Sequence, residues 1–166
     1  MSSSSSVAAH VLHRDLQYDV FLSFRGSDTR KTFTEDLYQG LTWKKINTYI
    51  DNRLERGDEI GYALEAAIEQ SKFSIIIFSQ DYASSRWCLD ELVHILKCKR
   101  RYGGRIVIPV FYEIDPSVVR EQEKSYADTF VKHNERFKNN MDKVLIWRDS
   151  LSAAAALYGY HIQNYR

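Results

Sequence analysis

Hydrophobic and polar positions switch between two spacings along this chain, and each switch marks a predicted element. Tyr18-Asp19-Val20-Phe21-Leu22-Ser23-Phe24 is a short apolar run ending at Arg25-Gly26, the pattern of a buried strand followed by a turn. Phe33, Leu37 and Leu41, with Tyr38, then recur at helical core spacing as far as Trp43, and Asp28 or Thr29 can cap that helix. Ile46 to Ile50 predicts a second strand, and Asp51 to Asp58 a polar loop. Asp58 and Glu59 suit the positive end of a helix running through Leu64, Ala67 and Ile68. Phe73-Ser74-Ile75-Ile76-Ile77-Phe78 is apolar almost throughout, which predicts a central strand. The helix from Trp87 to Arg101 closes on Lys97, Lys99, Arg100 and Arg101 before Gly103-Gly104, where its dipole and C-cap favour cations. Arg105 to Tyr112 is the fourth strand, with Pro109 requiring an edge or bulged position at that residue. Beyond Asp115-Pro116-Ser117 the spacing predicts helices over Tyr126 to Phe137 and Val144 to Tyr158, a stop at Gly159 and a short fifth strand at Tyr160-His161-Ile162.

Strands that alternate with helices, several of them apolar on both faces, specify an open parallel α/β sheet with helices on each side. Such sheets hold ligands outside the carboxyl ends of their strands, a rule that selects the loops 24–30, 51–57 and 79–86. Together these bring Arg25, Arg30, Arg53, Arg56, Arg86, Trp87 and Glu91 to one edge. Cations, an aromatic ring and one acid in convergence suit a phosphorylated, ring-bearing small molecule.

The acid is the most pointed member of this set. In Ser84-Ser85-Arg86-Trp87-Cys88-Leu89-Asp90-Glu91-Leu92, the residues Leu92, Ile95 and Leu96 form the buried helical stripe. Glu91 lies on its border, one turn beyond Trp87. Asp90 projects about 100° further round the helix, toward Arg86 and His94, where water or i,i+4 pairing would satisfy it. Glu91 is therefore the candidate for chemistry, because a carboxylate partly withdrawn from water beside an indole is a perturbed acid. Cys88 has no recognisable activating histidine and reads as a small packing residue.

Composition narrows the classes. The 166 residues, 44% apolar and 27% charged, suit one globular domain with a sizeable core. A formal charge of +1 gives no general electrostatic case for nucleic acid or anionic membranes, and nucleic acid is not expected as a partner. The longest apolar runs are far too short to span a bilayer. Cys88 and Cys98, ten residues apart on one predicted helix, cannot bridge, which fits reduced thiols in the cytoplasm or nucleus. Residues 1–16, opening on Met1 to Ser6, read as a disordered serine-rich leader, and its His10 and His13 do not by themselves make a metal site.

The motifs Tyr18 to Gly26, Arg56-Gly57-Asp58-Glu59-Ile60, Ser85 to Leu92, Pro109-Val110-Phe111-Tyr112 and Asp115-Pro116-Ser117, in that order, resemble a plant TIR domain, as found at the front of plant intracellular immune receptors. The resemblance covers about Tyr18 to Ile162 and places the domain at 17–166. It implies a flavodoxin-like, three-layer fold whose five-stranded parallel sheet has the order 2-1-3-4-5. It also implies cleavage of the nicotinamide glycosidic bond of NAD⁺ or NADP⁺, which would be substrates, with no separate cofactor and no metal. The family's catalytic glutamate falls on Glu91, and its nucleotide-contacting positions on Phe24, Arg25, Gly26, Ser85 and Trp87. The loop Asp51 to Asp58 corresponds to one that engages a neighbouring protomer, so the implied partners are further copies of this chain, other TIR domains or the rest of a receptor.

Two features depart from the family pattern. Glu35-Asp36 stands where plant members commonly carry Ser-His in a symmetric helix contact, and paired acids there would repel their symmetry mates. The chain stops at Arg166, where many members continue into a last amphipathic helix, an arrangement that leaves apolar surface near the first strand exposed or covered by a partner. Gly159 matches a glycine near the family's second self-association surface, with Tyr158 where some members have a basic residue. A non-catalytic module that pairs with other TIR domains is the competing reading. A phospho-acceptor receiver shares the sheet order but wants clustered acids after the first strand, where this chain has Arg25-Gly26.

Overall fold

A computed structural model describes residues 16–51 and 61–165. The leader, except residue 16, and Arg53, Arg56, Asp58 and Glu59 of the polar loop lie outside them. Five parallel strands form one sheet in the order β2-β1-β3-β4-β5: β1 (Tyr18–Phe24), β2 (Thr48–Tyr49), β3 (Ser71–Phe78), β4 (Ile106–Tyr112) and β5 (Tyr160–Ile162). The helices are α1 (Gly26–Thr29), α2 (Phe33–Trp43), α3 (Tyr62–Glu69), α4 (Arg86–Arg101), α5 (Pro116–Glu121), α6 (Lys124–Arg136) and α7 (Met141–Ala155). This is the flavodoxin-like arrangement, with β3 at its centre.

Strand order and chain handedness decide which face each helix covers. The step from β1 to β2 runs one way across the sheet and every later step runs the other way, so right-handed crossovers put α2 on one face and the remaining long helices on the other. Side chains alternate accordingly. Phe21, Ile76, Phe78, Val107 and Phe111 join a large core with α3 to α7, whereas Val20, Leu22, Phe24, Ile77 and Val110 join a smaller one with Phe33 of α2. On the smaller side Leu37, Leu41, Phe73 and Ile75 are only half buried.

Several element boundaries differ from the spacing pattern. The second strand is Thr48–Tyr49, not Ile46 to Ile50, because the preceding residues terminate α2. Lys45 is left-handed (φ 61°), its N–H donates to Thr42 O, and Ile46 N–H donates to Leu41 O, the double bond of a Schellman ending that commits Ile46 to the helix. Neither Asp28 nor Thr29 caps α2, whose N-cap is Thr32 without a side-chain bond. The last helix ends at Ala155, not Tyr158. Gly159 serves instead at a close approach: a Cβ there would stand 2.1 Å from the Pro109 carbonyl oxygen. Pro109 itself pairs with Ile76 on β3, while β5 joins β4 only from Val110 onward, so the proline sits where that side of β4 is still an edge.

Candidate active site

A cavity of about 660 Å³ opens beyond the carboxyl end of β1. Its lining includes Leu22, Phe24, Arg25 and Gly26 from the end of β1, Arg30, Lys31 and Thr32 beyond α1, Asp51 after β2, and Trp87 and Glu91 from the first two turns of α4. Phe24, Arg25, Gly26, Trp87 and Glu91, singled out from the sequence, thus share one space. Asp51 opens the selected loop 51–57 without having been named as a site residue, and Lys31 and Thr32 lie just beyond the selected loop 24–30.

Glu91 is buried to 4% exposure yet still contributes to the cavity wall, beside the half-buried Trp87 one turn before it. Arg25 holds Asp28 Oδ1 at 3.1 Å and Ser27 Oγ through Nη1, while its buried Nε has no hydrogen-bond partner among the described residues. The half-buried Arg25 side chain also lines the cavity, where its positive charge suits an anionic ligand. Arg30 lies 5.0 Å from the centroid of the Phe24 ring and donates to the Asp51 carbonyl at 3.1 Å. A Cβ on Gly26 would meet Arg30 Nε and one terminal nitrogen at 3.0 Å, so glycine leaves room for the guanidinium to lie back over the turn.

Two predicted members lie elsewhere. Ser85 does not line the cavity; it is the N-cap of α4, and its hydroxyl accepts the Cys88 N–H at 3.1 Å. Arg86 turns away, its guanidinium 5.6 Å from the centroid of Phe137. Asp90 has a partner that the sequence reading did not name, its Oδ1 accepting the Trp147 indole N–H at 3.0 Å, and His94 Nε2 lies 3.2 Å from Glu69 Oε1. A tryptophan 57 residues away cannot be foreseen from helical spacing.

What holds Glu91 opposite the β1 turn is a set of buried links that spacing did not reveal. Ser23 Oγ and the Tyr82 hydroxyl lie 2.8 Å apart, and the Tyr82 hydroxyl donates to Cys88 O at 3.1 Å. The Cys88 thiol approaches Phe24 O at 3.5 Å. The start of α4 is therefore tied to the end of β1 from both sides of the residue that precedes Arg25. Burial holds the Tyr82 phenol well above its ordinary value, so it stays a proton donor. Asp28, read as a helix cap, instead staples the loops: its Oδ2 accepts from Ser79 Oγ and from the Asp81 N–H at 3.0 Å.

The remaining departures have local explanations. Asp36 accepts a hydrogen bond from the Tyr165 hydroxyl, and that ring packs edge-on against Phe33 at 5.2 Å. Glu35 accepts from Gln39 at 3.4 Å. Tyr158 is 88% exposed, and Cys88 and Cys98 are not joined in a disulfide. No helix among the described residues is long and apolar enough to cross a membrane.

Comparison with known proteins gives the fold a family. A family model described as TIR domain matches residues 17–166. Disease resistance protein RPV1 of Vitis rotundifolia is 48% identical over 163 residues, covering 98% of this chain and 11% of that protein. TMV resistance protein N of Nicotiana glutinosa is 52% identical over 143 residues, covering 86% of this chain and 12% of that protein. The chain thus spans about a tenth of the length of these relatives. Among solved structures, the TIR domains of the activated Roq1 resistosome, which directly recognises the pathogen effector XopQ, superpose with a TM-score of 0.83 at 47% identity, covering 89% of each chain.

Proposed function

This chain belongs to the TIR domain family, and from that premise we propose that it is an NAD(P)⁺ nucleosidase, switched on by self-association, whose products signal plant defence and cell death. The observation that carries the reading is the meeting of Glu91 and Trp87 with the cation of Arg25 in one cavity, of a size typical of small-molecule sites. Relatives called disease resistance proteins, and TIR domains solved within a resistosome, support the biological setting and the assembly.

The chemistry asks little of the protein. A glycosidase that expels an alkoxide needs a second carboxyl group as acid, but nicotinamide leaves a cationic nitrogen as a neutral molecule. One carboxylate then suffices. Glu91 holds the ribose hydroxyls and stabilises the positive charge that develops at the anomeric carbon, Trp87 packs on a ring, and Arg25 holds phosphate. The C–N bond breaks with its electron pair going to nicotinamide. Attack of water on the sugar carbon, with loss of its proton, gives ADP-ribose; attack by a nucleophile within the molecule gives a cyclic product.

The test is nicotinamide release from NAD⁺ by chains held together on a multivalent support. Wild type should release it, and Glu91→Ala should be slower by at least about 100-fold, the scale of losing one electrostatic group at a reacting centre. No release from the clustered wild type would leave the competing reading, a non-catalytic module that pairs with other TIR domains.

A further inference from the structure

At the joint between α3 and α4, none of whose three key residues lines the cavity, Glu69, His94 and Cys98 bring one ligand atom each to within 4.8 Å of one another. We propose that these three side chains form a binding site for a thiophilic divalent transition-metal ion of the Zn²⁺ class. His94 and Cys98 are i and i+4 on α4, so their side chains share one face a turn apart, and Glu69 reaches them from the last residue of α3. His94 Nε2 and Glu69 Oε1 are 3.2 Å apart.

The donor set and its spacing favour this ion. Bonds of roughly 2.0 to 2.3 Å at tetrahedral angles put neighbouring donors about 3.3 to 3.7 Å apart, so the histidine and carboxylate at 3.2 Å are nearly placed, and the thiol, within 4.8 Å of both, is the donor that must be drawn in. Imidazole and thiolate select zinc-like ions over Mg²⁺ and Ca²⁺, which want oxygen shells. A hydrogen-bonded His94–Glu69 pair would have no need of a thiol at its third corner. Arg105 leaves the carboxylate alone, donating at 2.8 Å to the Glu69 backbone carbonyl. Cys98 is 5% exposed, and an entering ion must displace the proton that burial keeps on its sulfur. Three protein ligands leave a fourth position for water or for a group from another molecule, the arrangement of an exchangeable site. Occupancy would fasten the end of α3 to α4.

The test uses the 166-residue chain, Zn²⁺ titrated by calorimetry, and Co²⁺ as a spectroscopic probe. One ion should bind per chain, raise the melting temperature and, as Co²⁺, give a thiolate-to-cobalt charge-transfer band. His94→Ala should weaken Zn²⁺ binding at least about 100-fold, since even outer-shell partners are worth 10- to 100-fold. Cys98→Ala should abolish the band. Because Cys98 is packed in the core, His94→Ala at a less buried position keeps the test independent of folding. Absence of saturable uptake, uptake unchanged in His94→Ala, or cobalt bound without the thiolate band would each overturn the proposal.

Discussion

Ile75 and Ile76 are neighbours on the central strand, yet Ile76 is sealed at 0% exposure while Ile75 is half buried. They point to opposite faces of one sheet. The face of Ile76 carries α3 to α7, with Tyr82, Tyr126, Phe130, Trp147 and Leu151 wholly or almost wholly buried beneath them. The face of Ile75 carries α2, with Tyr165 against Phe33 and Tyr112. The strand order produces this inequality, because the three steps from β2 to β3, β3 to β4 and β4 to β5 all run the same way and send their connections over one face. Stability and ligand access are consequently divided. The thick face fixes α4, and the cavity opens at the seam, where Leu22 and Phe24 of the thin side meet Trp87 and Glu91 of the thick side.

The largest effect should come from breaking that inequality on a single strand. Ile76→Ala empties a sealed site and should cost about 2 to 5 kcal/mol, whereas Ile75→Ala, already half in water, should cost about 1 to 2 kcal/mol. Urea denaturation of the two variants measures the difference. Equal costs would mean that the thin face is as well packed as the thick one.

A smaller effect is expected where the margin of the sheet closes. Gly159→Ala places a methyl 2.1 Å from a backbone carbonyl and 2.6 Å from Pro109 Cγ, so β5 must move away from β4. The cost should be about 1 to 3 kcal/mol, the range for forcing extra carbon into a packed site. A midpoint of urea unfolding unchanged from wild type would show that β5 contributes little to the fold.

How much of this was legible in the residues follows from the range of the forces involved. The strand order came with the motifs, and the apolar run Phe73 to Phe78 marked the central strand because burial on both faces leaves no polar alternation. Glu91 was legible because helical spacing alone put it beside Trp87. The short helix Pro116–Glu121 was missed although its start is written locally, in an Asp115 side chain that accepts the Ser117 N–H at 2.8 Å and a proline at the first helical position. Tyr82 could not have been found, since its worth lies in Ser23, 59 residues away. The placement of Arg86 was misread for a related reason: as a cation after a strand it suited the site, but Phe137 offers it a ring from a distant helix. Local signals are readable one at a time, and long-range partners are decided only when helices dock on the thick face.

The gentlest test of that face uses pH. His133 is buried on α6 among Phe130, Phe137 and Trp147, and its neutral ring donates Nε2–H to the Ala83 carbonyl at 2.8 Å. Burial is the main cause that lowers its pKa below 6.5, with Arg136, Arg86 and Arg148 adding to the shift against the raising effect of the Ala83 bond. Between that lowered value and 6.5 the unfolded chain binds more protons than the folded one, so stability rises with pH across this window. The contribution is fully present above 6.5 and is lost as pH falls through the folded value. Urea midpoints should therefore decline on going from about pH 7.5 to about pH 5.5, which brackets the unfolded histidine. His133→Gln, which can still donate to Ala83 but cannot titrate, should be less stable at neutral pH and flatter across the same range. A slope identical to that of wild type would place the proton uptake elsewhere and leave His133 as packing alone.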